Sequence, residues 1–518
     1  MRLLRNRGFH LLAGGPCLSL HRENGRACCP QHAEAATNSR EGETPVEPQS
    51  SARSSQGSTG VSPSQGAGGP SSAFVLVAVL VVILLASMVV VSLLFHVRAE
   101  DAAAAAGAGS EQAWAVAMSG VQEAMRVAAQ TKPGALDWRD NRVAFRERFV
   151  CDDGSDRWFF TLYAAPDADA RDELRFGLTD EASKLNLNTA AETNLLKLPV
   201  LTPALVQSLL DFLDADDTAR AEGAEQEYYD GLPRPYTVRN GPLDTIEELL
   251  LVRGFTPARF YGEDANQNFR LDPNEDDGDE RTPADNKDGK LDLGLRPFLT
   301  VASYEYDDDN DGVPRTNIND PSDPLPKVQL PEPLVRYVLA LRTNKITVAH
   351  AADLLEAKGR FKDEHGKETE LASGVGRDEL PLVLDAFTAN QDYRVTGLIN
   401  INTAPLPVLA TVEGIDEPLA EAIVSARRGL APDRRRTIAW LLQEGVVDAA
   451  TFKKLAPRLT ARGMQFSFQV VGYGVPSGRY RVLEVMIDLA EGKPVITYLR
   501  DLTRLGMPFK VNADSRHG

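Results

Sequence analysis

The strongest pattern along the chain is the unbroken apolar run FVLVAVLVVILLASMVVVSLLF, Phe74 to Phe95, 22 residues without a charge. That length crosses a bilayer as a helix, whereas a buried core helix would keep a polar face. The next segment, Ala99 to Gln130, is rich in alanine, and Trp114, Met118, Val121, Met125 and Val127 recur at helical spacing. The helix is therefore expected to continue beyond the membrane, with an apolar stripe that needs a partner. The period then changes to two. RVAFRERFV (142–150) and RWFFTLYAA (157–165) read as strands around the turn CDDGSD, and QFSFQVVGYG, RYRVLEVMIDLA and KPVITYLRDL repeat the signal near the C-terminus. GYGVPSG and EGK read as hairpin turns. A long helix packed on a small antiparallel sheet built from both ends of the chain satisfies all of these.

Between those ends, from Thr179 to Arg462, the period is helical. PALVQSLLDFLDADD, TIEELLLVRG, PEPLVRYVLALRTN, AHAADLLEAKG and PLAEAIVSARRG predict short amphipathic helices. The expected class is α+β: a transmembrane helix continuing onto a small antiparallel sheet, interrupted by a large all-helical insertion with acidic calcium-type loops. In numbers, 1–73 is a disordered tail or leader, 74–97 the span, 98–178 the first part of the sheet unit, 179–462 the insertion with acidic loops at 263–320, and 463–512 the second part. Within the insertion, LNLNTAAETNLLKLP (185–199) and ININTAPLPVLATVEGI (399–415) share Asn-x-Asn-Thr-Ala ahead of a helix. Thr189 and Thr403 are placed to cap its first amides. The second phrase runs through Gly414 into another helix, the outline of a helix-hairpin-helix.

Charge narrows the function classes. The 518-residue chain carries a formal net charge of -18, which disfavours nucleic acid or an anionic membrane surface as partner of its bulk and suits bound cations. Glu413 and Asp416 stand where a helix-hairpin-helix would hold a phosphate, so no nucleic acid partner is expected. Cys17, Cys28 and Cys29 precede the apolar run and only Cys151 follows it, so the large C-terminal part forms no internal disulfide. The seven Lys/Arg and five Asp/Glu before Phe74, against about 20 excess acids after it, favour the tail inside and the acidic bulk outside. No H-E-x-x-H, G-x-S-x-G or Walker sequence occurs, and His350 and His365 stand alone, so no enzyme is expected.

The acids are concentrated. Glu263 to Asp311 holds sixteen acids and five bases, a composition whose default reading is solvated surface. Three stretches have the spacing of a calcium loop, in which side chains at positions 1, 3, 5, 9 and 12 and a carbonyl at 7 surround the ion. DANQNFRLDPNE supplies Asp264, Asn266, Asn268, Asp272 and Glu275 with the Arg270 carbonyl, but has Phe269 at position 6, where the sharp turn favours glycine. YDDDNDGVP supplies Asp307, Asp309 and Asp311 with the Val313 carbonyl. ADNKDGKLDLG supplies Asn286, Asp288 and Asp292, with Ala284 in place of the first carboxylate. DFLDADD with Glu222 and Glu225 is a further acidic cluster. Clustered carboxylates repel one another unless a cation sits among them, so calcium is the expected cofactor.

Taken in order, the apolar anchor, DEASKLNLNTA, LLDFLDADDTARAEGAEQEYY, RNGPLDTIEELLLVRG and LININTAPLPVLATVEGI resemble general secretion pathway protein K, the large minor pseudopilin of the type II secretion system. The resemblance runs from about Phe74 to the C-terminus. It implies a pilin-like domain interrupted by a helical one, and calcium binding. It also implies a single-pass inner-membrane protein with its bulk in the periplasm, at the pseudopilus tip beside I-, J- and H-type minor pseudopilins. Prepilin peptidase and the inner-membrane secretion platform are the other implied partners. The start departs from the pattern, because a leader ahead of the apolar run is usually short and basic. Ala73–Phe74 is the expected cleavage junction, ahead of Gly69–Pro70; an over-long start or an uncleaved anchor also accounts for the tail. The alternatives are a membrane-anchored calcium-dependent adhesin and a helix-hairpin-helix DNA-uptake protein.

Overall fold

The computed structural model describes residues 72–166, 174–362 and 366–510, so the 1–71 part of the tail and His365 lie outside it. Contacts divide the chain into two compact units, residues 1–94 and 95–518. In the first, the apolar run is helical and its side chains are exposed, as a lipid-facing segment requires. It belongs to one helix, α1 (Ser72–Gln130), the only described helix long and apolar enough to cross a membrane.

In the second unit, Ala113, Val116, Ala117, Val121, Ala124, Val127 and Ala128 form the buried stripe of α1. It packs on the antiparallel sheet formed by β1 (Arg148–Asp152), β2 (Arg157–Tyr163), β3 (Thr179–Asp180), β4 (Gln465–Val475), β5 (Tyr480–Asp488) and β6 (Val495–Asp501), in the order β1-β2-β4-β5-β6 with β3 also on β4. Phe160, Leu162, Phe468, Val470, Leu483 and Val485 face the helix. Small residues let the layers touch, since a Cβ on Gly120 would lie 2.8 Å from the Val470 side chain. Trp114, Met118 and Met125 border this core rather than fill it. Arg142–Phe145, expected as strand, is instead a helical turn. The Asn141 side chain accepts the Ala144 N–H at 3.0 Å, Phe145 is buried, and the strand starts only after Glu147 turns the chain at φ 49°.

The insertion has its own core, around Leu205, Phe212, Tyr229, Trp440 and Phe452. It is not all-helical. Five strand pairs run through it: Leu185–Asn186 with Leu299–Thr300, Tyr304–Tyr306 with Arg394–Thr396, Thr316–Asn317 with Phe387–Thr388, Lys358–Lys362 with Glu368–Ala372, and Ile399–Asn400 with Leu459–Thr460. Most are two or three residues long and pair across more than sixty residues, too short to show a period of two. TIEELLLVRG and AHAADLLEAKG give only 3₁₀ turns, at Ile246–Leu251 and Ala351–Leu354.

The repeated phrase explains itself structurally. Each copy is a short parallel strand, a bend, α2 (Glu192–Leu195) or α4 (Leu406–Thr411), a left-handed residue, and α3 (Pro203–Leu213) or α5 (Glu417–Arg428). Neither threonine caps its helix, because the asparagines make the bend. Asn186 and Asn400 accept the N–H two residues on, at 3.0 Å in both. Asn188 clamps both backbone groups of Leu243, while Asn402 donates to the Arg435 and Ala461 carbonyls and accepts the Trp440 indole N–H. Thr403 and Asn400 both donate to the buried Asp180 carboxylate on β3, at 2.7 and 2.8 Å, tying the second repeat to the sheet. The left-handed position is Gly414 in one copy and Val200, at φ 78°, in the other. Valine there is strained by about 1–2 kcal/mol.

Candidate metal centre

The Asp264 loop follows the helix Pro257–Tyr261 and folds inward on its own ligands. Asp264, Asn268 and Glu275 are 2%, 7% and 1% exposed. Asp264 accepts the amides of Asn268 and Phe269 at 2.9 and 3.1 Å, and Glu275 accepts those of Ala265 and Asp272, both at 3.1 Å. The Asn266 and Asn268 carboxamides both reach Asp272 Oδ2, at 2.7 and 2.8 Å. Five of the six expected ligands thus converge. Arg270 makes the turn between them, its amide donating to Asn268 Oδ1 at 2.7 Å. The unusual position 6 is accommodated, since Phe269 takes φ 60° with its ring buried.

The electrostatics of this loop favour a cation. Burial pushes the Asp264 carboxyl up to about 6, and Asp272 adds to the rise. Burial also pushes Glu275 up to about 7, with Asp264 and Asp272 contributing. Among the described residues the only hydrogen-bond donors to Glu275 are backbone amides. Held above the usual carboxylate range, these groups ionise at neutral pH only at a cost that a positive charge among them would offset.

The other two loops are arranged differently. Asn286, Asp288 and Asp292 are exposed and cap backbone amides two residues on, those of Asp288, Lys290 and Gly294. The loop is organised instead by Glu263, which is buried and accepts the Asn286 and Asp292 amides at 3.4 and 3.2 Å. In the Asp307 loop the first carboxylate is already paired within the protein. Asp307 is held by Arg315 at 3.0 Å, Thr388 at 2.5 Å and Asn390 at 3.1 Å. Asp309 accepts the Asp311 and Val313 amides, and the Val313 carbonyl accepts the Asp309 N–H at 2.7 Å. Arg315 supplies the positive charge beside Asp307.

A second cluster meets the requirement better than its sequence suggested. Carboxylate oxygens of Asp214, Asp216 and Glu225 lie within 4.8 Å of one another. Glu225 is 5% exposed, and neither of its oxygens, nor Oδ1 of Asp214, has a hydrogen-bond partner among the described residues. Burial, then Asp211 and Asp214, push Glu225 up to about 7. Gly223 is required beside it because a Cβ there would collide with the Asp211 carboxylate. Glu222 is exposed and only its backbone takes part, donating to Gln207. At the α4–α5 hairpin, Asp416 caps α5 through the Leu419 amide and Glu413 pairs with Arg458.

An apolar N-terminal helix that runs onto an antiparallel sheet, with a large insertion between the strands, defines a pilin-like subunit carrying an extra domain. Residues 178–261, which contain the first repeat and the Glu225 cluster, match the family model described as type II secretion system (T2SS), protein K. That stretch is similar to protein K of the type II secretion system, a minor pseudopilin. Among solved structures the chain is similar to a chain in the crystal structure of the GspK-GspI-GspJ complex from the type 2 secretion system of enterotoxigenic Escherichia coli. That similarity has 14% identity and a TM-score of 0.36 and covers 78% of this chain and 99% of the other. No curated protein matches the chain.

Proposed function

We propose that this chain is a minor pseudopilin, a protein K of the type II secretion system, and that it caps the periplasmic pseudopilus. It would be anchored in the inner membrane by Phe74–Phe95 and joined to I-, J- and H-type minor pseudopilins, contributing to pseudopilus initiation and to protein secretion across the outer membrane. The observation that carries this reading is the position of the family match inside an insertion that interrupts a helix-on-sheet unit. Such bulk suits the end of a fibre, where no further subunit has to stack above. Cleavage at Ala73–Phe74 by prepilin peptidase would leave a chain that starts with the uncharged run Phe74–Phe95, as an anchor helix requires. Co-expressed with its sister pseudopilins, the full chain is expected to co-purify with the I- and J-type subunits and to begin at or near Phe74 by mass spectrometry. An intact Met1 and no co-purification would overturn the reading.

Calcium is the proposed ligand of the Asp264–Glu275 loop and of Asp214, Asp216 and Glu225. All are oxygen donors, the preference of a hard cation, and the ion would supply the positive charge that lets buried carboxylates ionise. The rest of the acidic insertion has few apolar residues to order it, so the ion would act structurally. Chelation is expected to speed proteolytic cleavage between Glu263 and Asp320 several-fold while leaving the α1–sheet unit intact. Equal cleavage with and without chelator would remove calcium from the Asp264–Glu275 loop.

A further inference from the structure

The turn that gathers the cation ligands is also the part of the insertion that closes the second face of the sheet. That face, opposite α1, presents Phe159, Tyr163, Val471, Tyr473 and Val482, and Phe269 joins their cluster from the loop. Its ring meets Tyr163 edge-on at 6.3 Å between centroids, and the Arg296 guanidinium stacks over it at 5.1 Å. Arg296 in turn pairs with Glu484 on β5. Two residues before Phe269, Gln267 accepts a hydrogen bond from Arg500 on β6. On the loop's other side Asn268, Arg270 and Asp272 line a groove with Tyr473, Tyr480, Met507 and Phe509.

Ligand and anchor therefore alternate along one short stretch. Asp264, a ligand, accepts the Phe269 amide and so fixes the φ of 60° that aims the ring at the sheet. A left-handed phenylalanine costs about 1–2 kcal/mol by itself, so the turn persists only while something holds it. Two things can: the ion drawing Asp264, Asn268 and Asp272 together, and the ring seated on Tyr163.

We propose that cation binding by the Asp264–Glu275 loop and seating of that loop on the sheet are one linked equilibrium, making calcium a latch between insertion and pilin-like unit. The proposal rests on the calcium reading above. Linkage is reciprocal: whatever unseats the ring weakens the ion by the same factor that the ion strengthens seating. Loss of the ion would lift Phe269 from Tyr163 and Gln267 from Arg500, leaving Arg500 with Glu247 and Glu484.

The test uses the full chain in detergent micelles, titrated with calcium in a calorimeter, and followed by hydrogen exchange with and without chelator. Glu275→Gln identifies the heat that belongs to this loop. Phe269→Gly removes the ring but keeps a residue that favours positive φ, so it separates seating from strain. The expected result is at least about a fivefold weaker affinity in Phe269→Gly for the Glu275-dependent sites alone, with chelation speeding exchange in β2, β4 and β5 of the unmutated chain. An unchanged affinity, with exchange in those strands indifferent to chelator, would overturn the latch and leave the calcium reading standing. Absence of any Glu275-dependent binding would end both the latch and the calcium reading of this loop. The exchange comparison needs no substitution, so it decides the matter even if Phe269→Gly does not fold.

Discussion

Replacing Gly472 by valine is expected to cost about 3 kcal/mol or more and to detach α1 from the sheet. Gly472 sits in the middle of β4, where the helix backbone comes closest. A Cβ there would press on the Ala113 carbonyl oxygen and lie 2.5 Å from the Ala117 amide nitrogen. Both are main-chain atoms of a helix already held by the Val116–Val121–Ala124 stripe, so neither can step aside as a side-chain tip could. The helix would have to lift, opening the core between α1 and Phe468, Val470 and Val485. A fall in the denaturant midpoint and loss of protection along residues 113–128 would show this; an unchanged midpoint would mean that α1 does not pack here.

Asp180→Ala is expected to cost about 3 kcal/mol by separating the second repeat from the sheet. Asp180 is buried on β3 and accepts three donors: Asn400 Nδ2 at 2.8 Å, the Thr403 hydroxyl at 2.7 Å and the Ala182 amide at 2.9 Å. Truncation strands all three, and a buried unsatisfied donor costs about 1–3 kcal/mol. The group also gives stability a pH dependence. Burial outweighs its donors and raises the carboxyl to about 6, so the folded chain keeps a proton that the unfolded chain loses near pH 4. This contribution is full below about pH 4, declines as pH rises, and levels off above about pH 6, a change of about 3 kcal/mol. Asp180→Asn, with no proton to lose, should flatten that part of the stability profile. A decline that survives in the asparagine variant would assign it to another group.

Asp180 also marks where local reading stops. Its sequence neighbourhood, DEASKLNLNTA, signalled a motif but not its use: the carboxylate meets Asn400 and Thr403 more than two hundred residues away. Separations of 114 and 60 residues likewise hid the parallel two-residue strands, which turned an expected all-helical insertion into a mixed one. For the loops, spacing singled out Asp264, Asn268 and Glu275 first, and placed the Asp307 loop second. Only the fold brings Arg315, Thr388 and Asn390 to that carboxylate. Phe269 was a mismatch by local rules, because the ring of Tyr163 that makes it tolerable lies on another part of the chain.

The amino-acid sequence by itself determined the apolar anchor, the helix that extends it, the strands near each end, and the clusters of oxygen ligands. These follow from periodicity, charge and spacing within a few turns of chain, where a residue's neighbours are its own sequence. Tertiary structure decided which carboxylates are buried without a counter-charge, which are already satisfied by arginine, and which side chain seats a loop on the sheet. Burial and pairing are properties of residues far apart in sequence, and their energies exist only once the chain has closed around them.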